Sequence, residues 1–393
     1  MRKNLFVIGV FREGFAEDVV KRIVTISSRS CFSLCDFLQQ DYLFLVFERT
    51  NVIWQQQQRA LRKGILPTSL RSAVQSLVVN NLYEAAFVLA SVRRFRHVRP
   101  ILICTTPIVT TFGILLRRVG LTSKVVYWSI DWFPSSRSAF EGSVPRLLMS
   151  AFMQRLDRYC YEHSDMAWDV TDGISSAREQ RWSGNLKQRR HSIIYPVSRQ
   201  EGMQVHTPVR PFGVIFVGRD YYFTEGGELW TVVGAVRQLR ERGIPAYLEI
   251  FGGAKSPTSR QLKFMEFVKS IGANDFVTLH GYMAFDDMSK IIARGACGVA
   301  LFSGTRISNF AFSGKVLNYL ENGIPVIMAA NSAVSSLIKD NNAGVVIDTA
   351  DRESISLAIA KVIQNQDIYR EGVQAILRKD LTGDALLTDL MSL

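Results

Sequence analysis

The chain has 393 residues, is 47% hydrophobic and carries a formal net charge of +12. That length and apolar share are enough for two domains with their own cores, and they exclude a disordered or low-complexity chain. The charge is one-sided: residues 1–200 hold 28 Lys+Arg against 15 Asp+Glu, and the remainder is close to balance.

A basic half predicts a polyanionic partner. No nucleic-acid motif or aromatic platform accompanies the arginines, so nucleic acid is excluded in favour of an anionic membrane surface or a phosphorylated acceptor. The plainer alternative is a solvated basic face. Five cysteines, Cys31, Cys35, Cys104, Cys160 and Cys297, are odd in number and lack zinc or disulfide spacing. They read as reduced core residues of a cytoplasmic protein. No apolar run qualifies as a signal peptide or a membrane span.

Leu5–Val10 reads as a buried strand, with Gly9 and Gly14 bracketing a loop before a helix from Glu17 to Val24. This is how a Rossmann-like domain opens, although a full G-x-G-x-x-G is lacking. Tyr42–Phe47 is a second strand. A polar helix from Trp54 to Lys63 and an apolar-periodic run from Leu70 to Val98 follow, the latter ending in Arg93-Arg94-Phe95-Arg96-His97-Val98-Arg99. With Arg59, Arg62, Lys63 and Arg71 these arginines make a candidate membrane-facing patch; alternatively they only complement a helix C-terminus.

Ile101–Cys104 is the third strand, Pro107–Arg118 a helix and Lys124–Ile130 the next strand. Asp131-Trp132-Phe133-Pro134 lies at its carboxyl end, where open α/β sheets place ligands. Asp131 is therefore a candidate site residue, or else it caps the next turn. Asp172–Arg181 reads as a helix, His191–Pro196 as the last strand of the first half, and Ser198–Pro211 as a linker.

The second half opens with the strand Phe212–Gly218 and Arg219, followed by a helix from Glu228 to Arg242 and a strand from Ala246 to Phe251. Gln261–Ile271 is helical, Val277–Gly281 a strand ending in His280-Gly281, and Asp286–Arg294 helical. Gly298–Phe302 is a buried strand leading into a polar loop up to Phe312. Ser313 then serves as N-cap of a helix whose first turn holds Gly314 and Lys315, and Gly323 and Pro325 end it. Such a helix start points free N–H groups at a candidate anion, with Lys315 adding charge. A plain crossover helix is the alternative. Val326–Met328, Asn342–Ile347 and a helix Ser354–Gln364 complete the pattern.

The stretch GKVLNYLENGIPVI, residues 314–327, resembles the carboxyl-domain signature of GT-B fold glycosyltransferases, in particular the retaining family four. Lys315, Tyr319, Gly323, Pro325 and Val326 match that signature. The resemblance spans most of residues 212–350 and, more loosely, 100–200. It implies an α/β fold of two Rossmann-like domains facing across a cleft, an N-terminal acceptor domain at 1–205 and a C-terminal nucleotide-sugar domain at 206–393 whose last helix crosses back. It implies glycosyl transfer from a nucleotide-sugar donor to a lipid-linked or polysaccharide acceptor in surface glycan synthesis, retaining, with no cofactor. No metal is expected, since no Asp-x-Asp occurs of the sort that holds a metal diphosphate.

On this resemblance Gly14 lies near the donor phosphates and acceptor, Gly218 and Arg219 form the phosphate-binding turn, and His280 and Gly281 border the base. Ser313, Gly314 and Lys315 reach the diphosphate, Asn318 the ribose, and Asp131 the sugar or acceptor. Three positions depart from the family. Asn318 and Phe310 stand where it has acidic residues, and Thr224-Glu225-Gly226 stands where it has a lysine before a glycine. Those departures sustain the alternative of a non-catalytic homologue acting as a binding or scaffold subunit.

Overall fold

The computed structural model describes residues 5–10, 42–47, 99–130, 132, 144–182, 190–196, 212–253, 256–301 and 310–393, with single positions between 85 and 96. The helices expected at Glu17–Val24 and Trp54–Lys63 lie outside these residues. The chain divides into two compact units, residues 1–199 with 383–393, and residues 200–382.

The first unit holds a six-stranded parallel sheet: β1 (Leu5–Val10), β2 (Tyr42–Phe47), β3 (Ile101–Cys104), β4 (Lys124–Ser129), β5 (Met166–Asp169) and β6 (His191–Ile193). Their order is β2-β1-β3-β4-β5-β6. The chain leaves β1 in one direction and β3 in the other, so the switch of winding falls between them. α1 (Pro107–Arg118), α2 (Val144–His163) and α3 (Asp172–Arg181) connect the later strands. Pro107 occupies the start of α1, where its missing N–H costs nothing. β3 and most of β4 are buried, as a sheet covered on both faces requires.

Beneath α2 and α3 lies an ionic cluster that the sequence reading did not foresee. Arg178 is fully buried and pairs with Asp157 of α2 at 3.0 Å and with Asp169 at the end of β5. Tyr127 donates to Asp157, His191 contacts Asp169 at 2.9 Å, and the Arg178 guanidinium lies 4.8 Å from the Tyr161 ring centroid. Two carboxylates around one guanidinium leave no net unpaired cation, which is the condition for burying charge at all.

The second unit repeats the architecture with β7 (Gly213–Gly218), β8 (Tyr247–Gly252), β9 (Val277–Gly281), β10 (Cys297–Ala300), β11 (Val326–Ala329) and β12 (Gly344–Ile347). All neighbours are parallel, in the order β12-β11-β10-β7-β8-β9, and the switch of winding falls between β7 and β10. The helices are α4 (Glu228–Glu241), α5 (Ser259–Ser270), α6 (Phe285–Ile292), α7 (Gly314–Glu321), α8 (Ser335–Asp340), α9 (Arg352–Gln364) and α10 (Gln366–Lys379). Thr258 and Gln261 form a reciprocal capping box on α5. One continuous core runs from Val214 and Phe216 through Val232, Val236, Ile250 and Phe264 to Ile355 and Ile359.

α10 sends Arg370 under the sheet's loops, where it donates to the carbonyls of Gly323 at 3.1 Å and Gly295 at 2.8 Å. α11 (Asp384–Ser392) groups with the first unit: Leu386 and Leu390 are buried, and Asp389 accepts from the Trp168 indole at 2.9 Å. No helix among the described residues is long and apolar enough to cross a membrane.

Candidate functional site

The winding switch between β7 and β10 is held together by one side chain. Lys315 and Tyr319 are four apart on α7, so they share the face turned to the sheet, and both are buried. The Tyr319 hydroxyl accepts from the Val217 N–H at 2.9 Å and donates to the Val299 carbonyl at 3.1 Å, bridging the β7 and β10 segments. Its ring covers Gly298, and a Cβ there would overlap it.

Lys315, one turn earlier, is only 8% exposed. Its ammonium lies 3.7 Å from the ring centroid of Tyr222 and 4.6 Å from that of Phe216. Burial pushes its pKa down to about 8, against which the charge of Glu228, in the first turn of α4, works in the other direction. Phe216 and Tyr222 meet edge to face at 5.5 Å. They also fill the space beside Gly218: a Cβ there would come to 2.8 Å from both Phe216 Cε1 and Tyr222 Cδ2. The glycine expected to leave room for a phosphate thus leaves room first for two rings of its own chain.

Tyr222 is the site residue that sequence reasoning missed. It sits on a 3₁₀ turn, Asp220–Phe223, directly before Thr224-Glu225-Gly226, where the family's lysine-glycine pattern was sought. Its N–H donates to the Arg219 carbonyl at 3.0 Å, so Arg219 and Lys315 border the same turn. Arg219 is exposed. The adjacent carboxylate does not neutralise it, because Asp220 accepts from Thr258 and pairs with Arg260 at 2.8 Å. Gly252 backs the turn at positive φ, packed so closely on the Gly218 carbonyl that only glycine fits, and Gly253 N–H donates to that carbonyl at 3.0 Å.

At the end of β9 the His280 ring lies parallel to Phe251, 4.5 Å between centroids, with Nε2 3.7 Å from Glu249 Oε1. Gly281 follows at φ 71°. Ser313 holds the N-cap position of α7 in extended conformation without a side-chain cap bond, and Gly314 is exposed beside it. Asn318 is partly exposed and its side-chain amide forms no hydrogen bond among the described residues; its backbone carbonyl accepts from Asn322 Nδ2 at 2.7 Å. The structure therefore gathers Gly218, Arg219 and Lys315 around Tyr222. Gly14 and Asp131 lie outside the described residues. Among the described residues there is no cluster of His, Cys, Asp or Glu arranged to hold a metal ion.

Residues 211–365 match the family model described as Glycosyl transferases group 1. The match falls within the second unit and covers most of it. Three solved structures superpose on essentially the full chain. One is Anabaena HepE in complex with UDP and glucose, at TM-score 0.63 and 12% identity, covering 99% of this chain and 100% of that one. Sucrose-phosphate synthase from Thermosynechococcus elongatus gives 0.62 at 13% identity, covering 99% of each chain. WaaG, a glycosyltransferase involved in lipopolysaccharide biosynthesis, gives 0.57 at 14% identity, covering 99% and 100%. At such identities the likeness is one of fold, and that fold is GT-B, two Rossmann-like domains. No curated protein matches the chain in sequence.

Proposed function

We propose that the chain transfers a sugar from a nucleoside diphosphate sugar to a lipid-linked or glycan acceptor. The observation that supports this reading is that one turn at the carboxyl end of β7, next to the winding switch, carries Arg219, whose backbone carbonyl accepts from Tyr222 N–H, and has the Lys315 ammonium against the Tyr222 ring. Open α/β sheets bind ligands at that position. Arg219 supplies a planar fork for two phosphate oxygens, and Lys315 a point charge at a helix start. Together they would neutralise the diphosphate as it leaves, so that catalysis is mostly positioning and charge stabilisation.

In this reading Asn318 accepts or donates to the ribose hydroxyls, Gly281 and His280 border the base, and Ser313 and Gly314 offer N–H groups to the diphosphate. Asp131 and Gly14 stand on the acceptor side. Transfer is retaining and independent of a metal, and the basic first unit meets an anionic membrane surface from the cytoplasmic side. The solved relative that holds UDP and glucose supports the donor class.

The test is a thermal-shift and turnover screen across nucleoside diphosphates and their sugars, with Arg219→Ala as control. A nucleotide that raises the melting temperature, together with turnover lost in Arg219→Ala, supports the reading. A second reading, a binding subunit without turnover, is favoured by Phe310 and by the uncharged Asn318 at the family's acidic positions. Nucleotide binding without release of the sugar in that screen would select it.

A further inference from the structure

The aromatic pair around Lys315 is not explained by core packing alone. Phe216 belongs to the buried core. Tyr222 is only partly buried and lies on a surface 3₁₀ turn, yet its ring is the nearer of the two to the ammonium. The face of a ring attracts a cation, most strongly where water is displaced. Gly218 and Gly227 together let the turn close: Gly218 because both rings use its side-chain space, Gly227 because a Cβ there would meet the Thr224 carbonyl at 2.9 Å.

We propose that Tyr222 is a positioning residue, whose ring, with Phe216, forms a half-cage that holds the Lys315 ammonium at the carboxyl end of β7 for the donor diphosphate. The proposal rests on the donor-site reading of Lys315. A four-carbon lysine chain at a helix start otherwise samples solvent, and its anion contact would be made at an entropic cost on each binding event. The half-cage removes that cost in advance. It also shields the ammonium from water, in keeping with the lowered pKa of Lys315. The groups that face this ammonium include the rings of Tyr222 and Phe216, and Glu228 from α4 acts on it by its charge. A diphosphate brought next to Lys315 would add negative charge there and raise its proton affinity, so that binding takes up a proton above about pH 8.

The test uses the full chain with Tyr222→Phe, Tyr222→Leu and Gly218→Ala. Two readouts are followed: the titration of Lys315 by NMR without ligand, and the affinity for the nucleoside diphosphate found in the screen. Tyr222→Phe keeps the ring and should match the parent in both. Tyr222→Leu should weaken nucleotide binding about tenfold, with KM rising more than kcat falls, and should move the Lys315 titration upward towards the ordinary lysine value, because regained hydration outweighs the lost ring attraction. Gly218→Ala, which displaces the same ring, should move both readouts the same way. An unchanged Lys315 titration in Tyr222→Leu would overturn the half-cage. A shifted titration with parental nucleotide affinity would keep the cage and overturn its role in donor binding. If the parent binds no nucleotide, the donor reading fails, and the role of Tyr222 in donor binding with it, while the ligand-free titration still decides whether the cage exists.

Discussion

The ring of Tyr319 lies directly over Gly298, and its hydroxyl joins Val217 N–H to the Val299 carbonyl. One side chain therefore fixes the spacing of the β7 and β10 segments where the sheet changes direction. Gly298→Ala should cost about 2–4 kcal/mol, because neither the strand nor a fully buried ring can move aside. Tyr319→Phe keeps the ring and loses only the bridge, so about 1–2 kcal/mol is expected. Urea unfolding of the two variants separates the effects.

Lys315 gives a pH dependence with a definite sign. In the folded chain its pKa is about 8, in the unfolded chain about 10.5. Between those values the unfolded state holds a proton that the folded state has released, so this group makes stability rise with pH across that window. Lys315→Met should abolish the rise, worth on the order of 3 kcal/mol in full. At pH 7 it should not destabilise the chain, since it removes a buried charge, but it should weaken nucleotide binding. Melting curves from pH 7 to 10 for parent and variant provide the comparison.

Arg178 and Arg370 are buried for structural reasons, and their removal should show it. Arg178→Met leaves Asp157 and Asp169 buried without a countercharge, and about 3–5 kcal/mol should be lost. Arg370→Met leaves the carbonyls of Gly323 and Gly295 without this donor, for about 2–4 kcal/mol. Denaturant midpoints measured at constant slope would register both.

These two arginines also mark the limit of what the sequence discloses. The strands of the second unit are legible as apolar runs, and α7 is legible because Val316, Leu317 and Leu320 recur at helical spacing before Gly323 and Pro325. Arg178 reads only as the polar end of a short helix. Its burial depends on Asp157, 21 residues earlier on α2, a helix the sequence reading passed over. Gly218 was legible as a required glycine, but the reason was not. The rings that occupy its side-chain space come from Phe216 and from Tyr222, whose position depends on a 3₁₀ turn with no strong signature. Of the candidate site, Lys315 was named from its place at a helix start and Arg219 from the family resemblance. The aromatic pair that holds one of them required coordinates.

The charge of the first unit makes a separate prediction. Vesicles containing anionic lipid should bind the chain, and binding should fall steeply between low and physiological salt, because exposed charges are screened over about 8–10 Å there. Equal binding to neutral vesicles, or no loss with salt, would count against a membrane-facing role. A sedimentation assay at two salt concentrations is sufficient.

The central claim is that Arg219 and Lys315 grip a diphosphate at the carboxyl end of β7. Isothermal titration of the nucleoside diphosphate into the parent, Arg219→Ala, Lys315→Met and the double variant measures it directly. The account predicts saturable binding by the parent, at least tenfold weaker binding by each single variant and none by the double variant, all with parental unfolding cooperativity. Undiminished affinity in the double variant would place the diphosphate elsewhere and contradict the account.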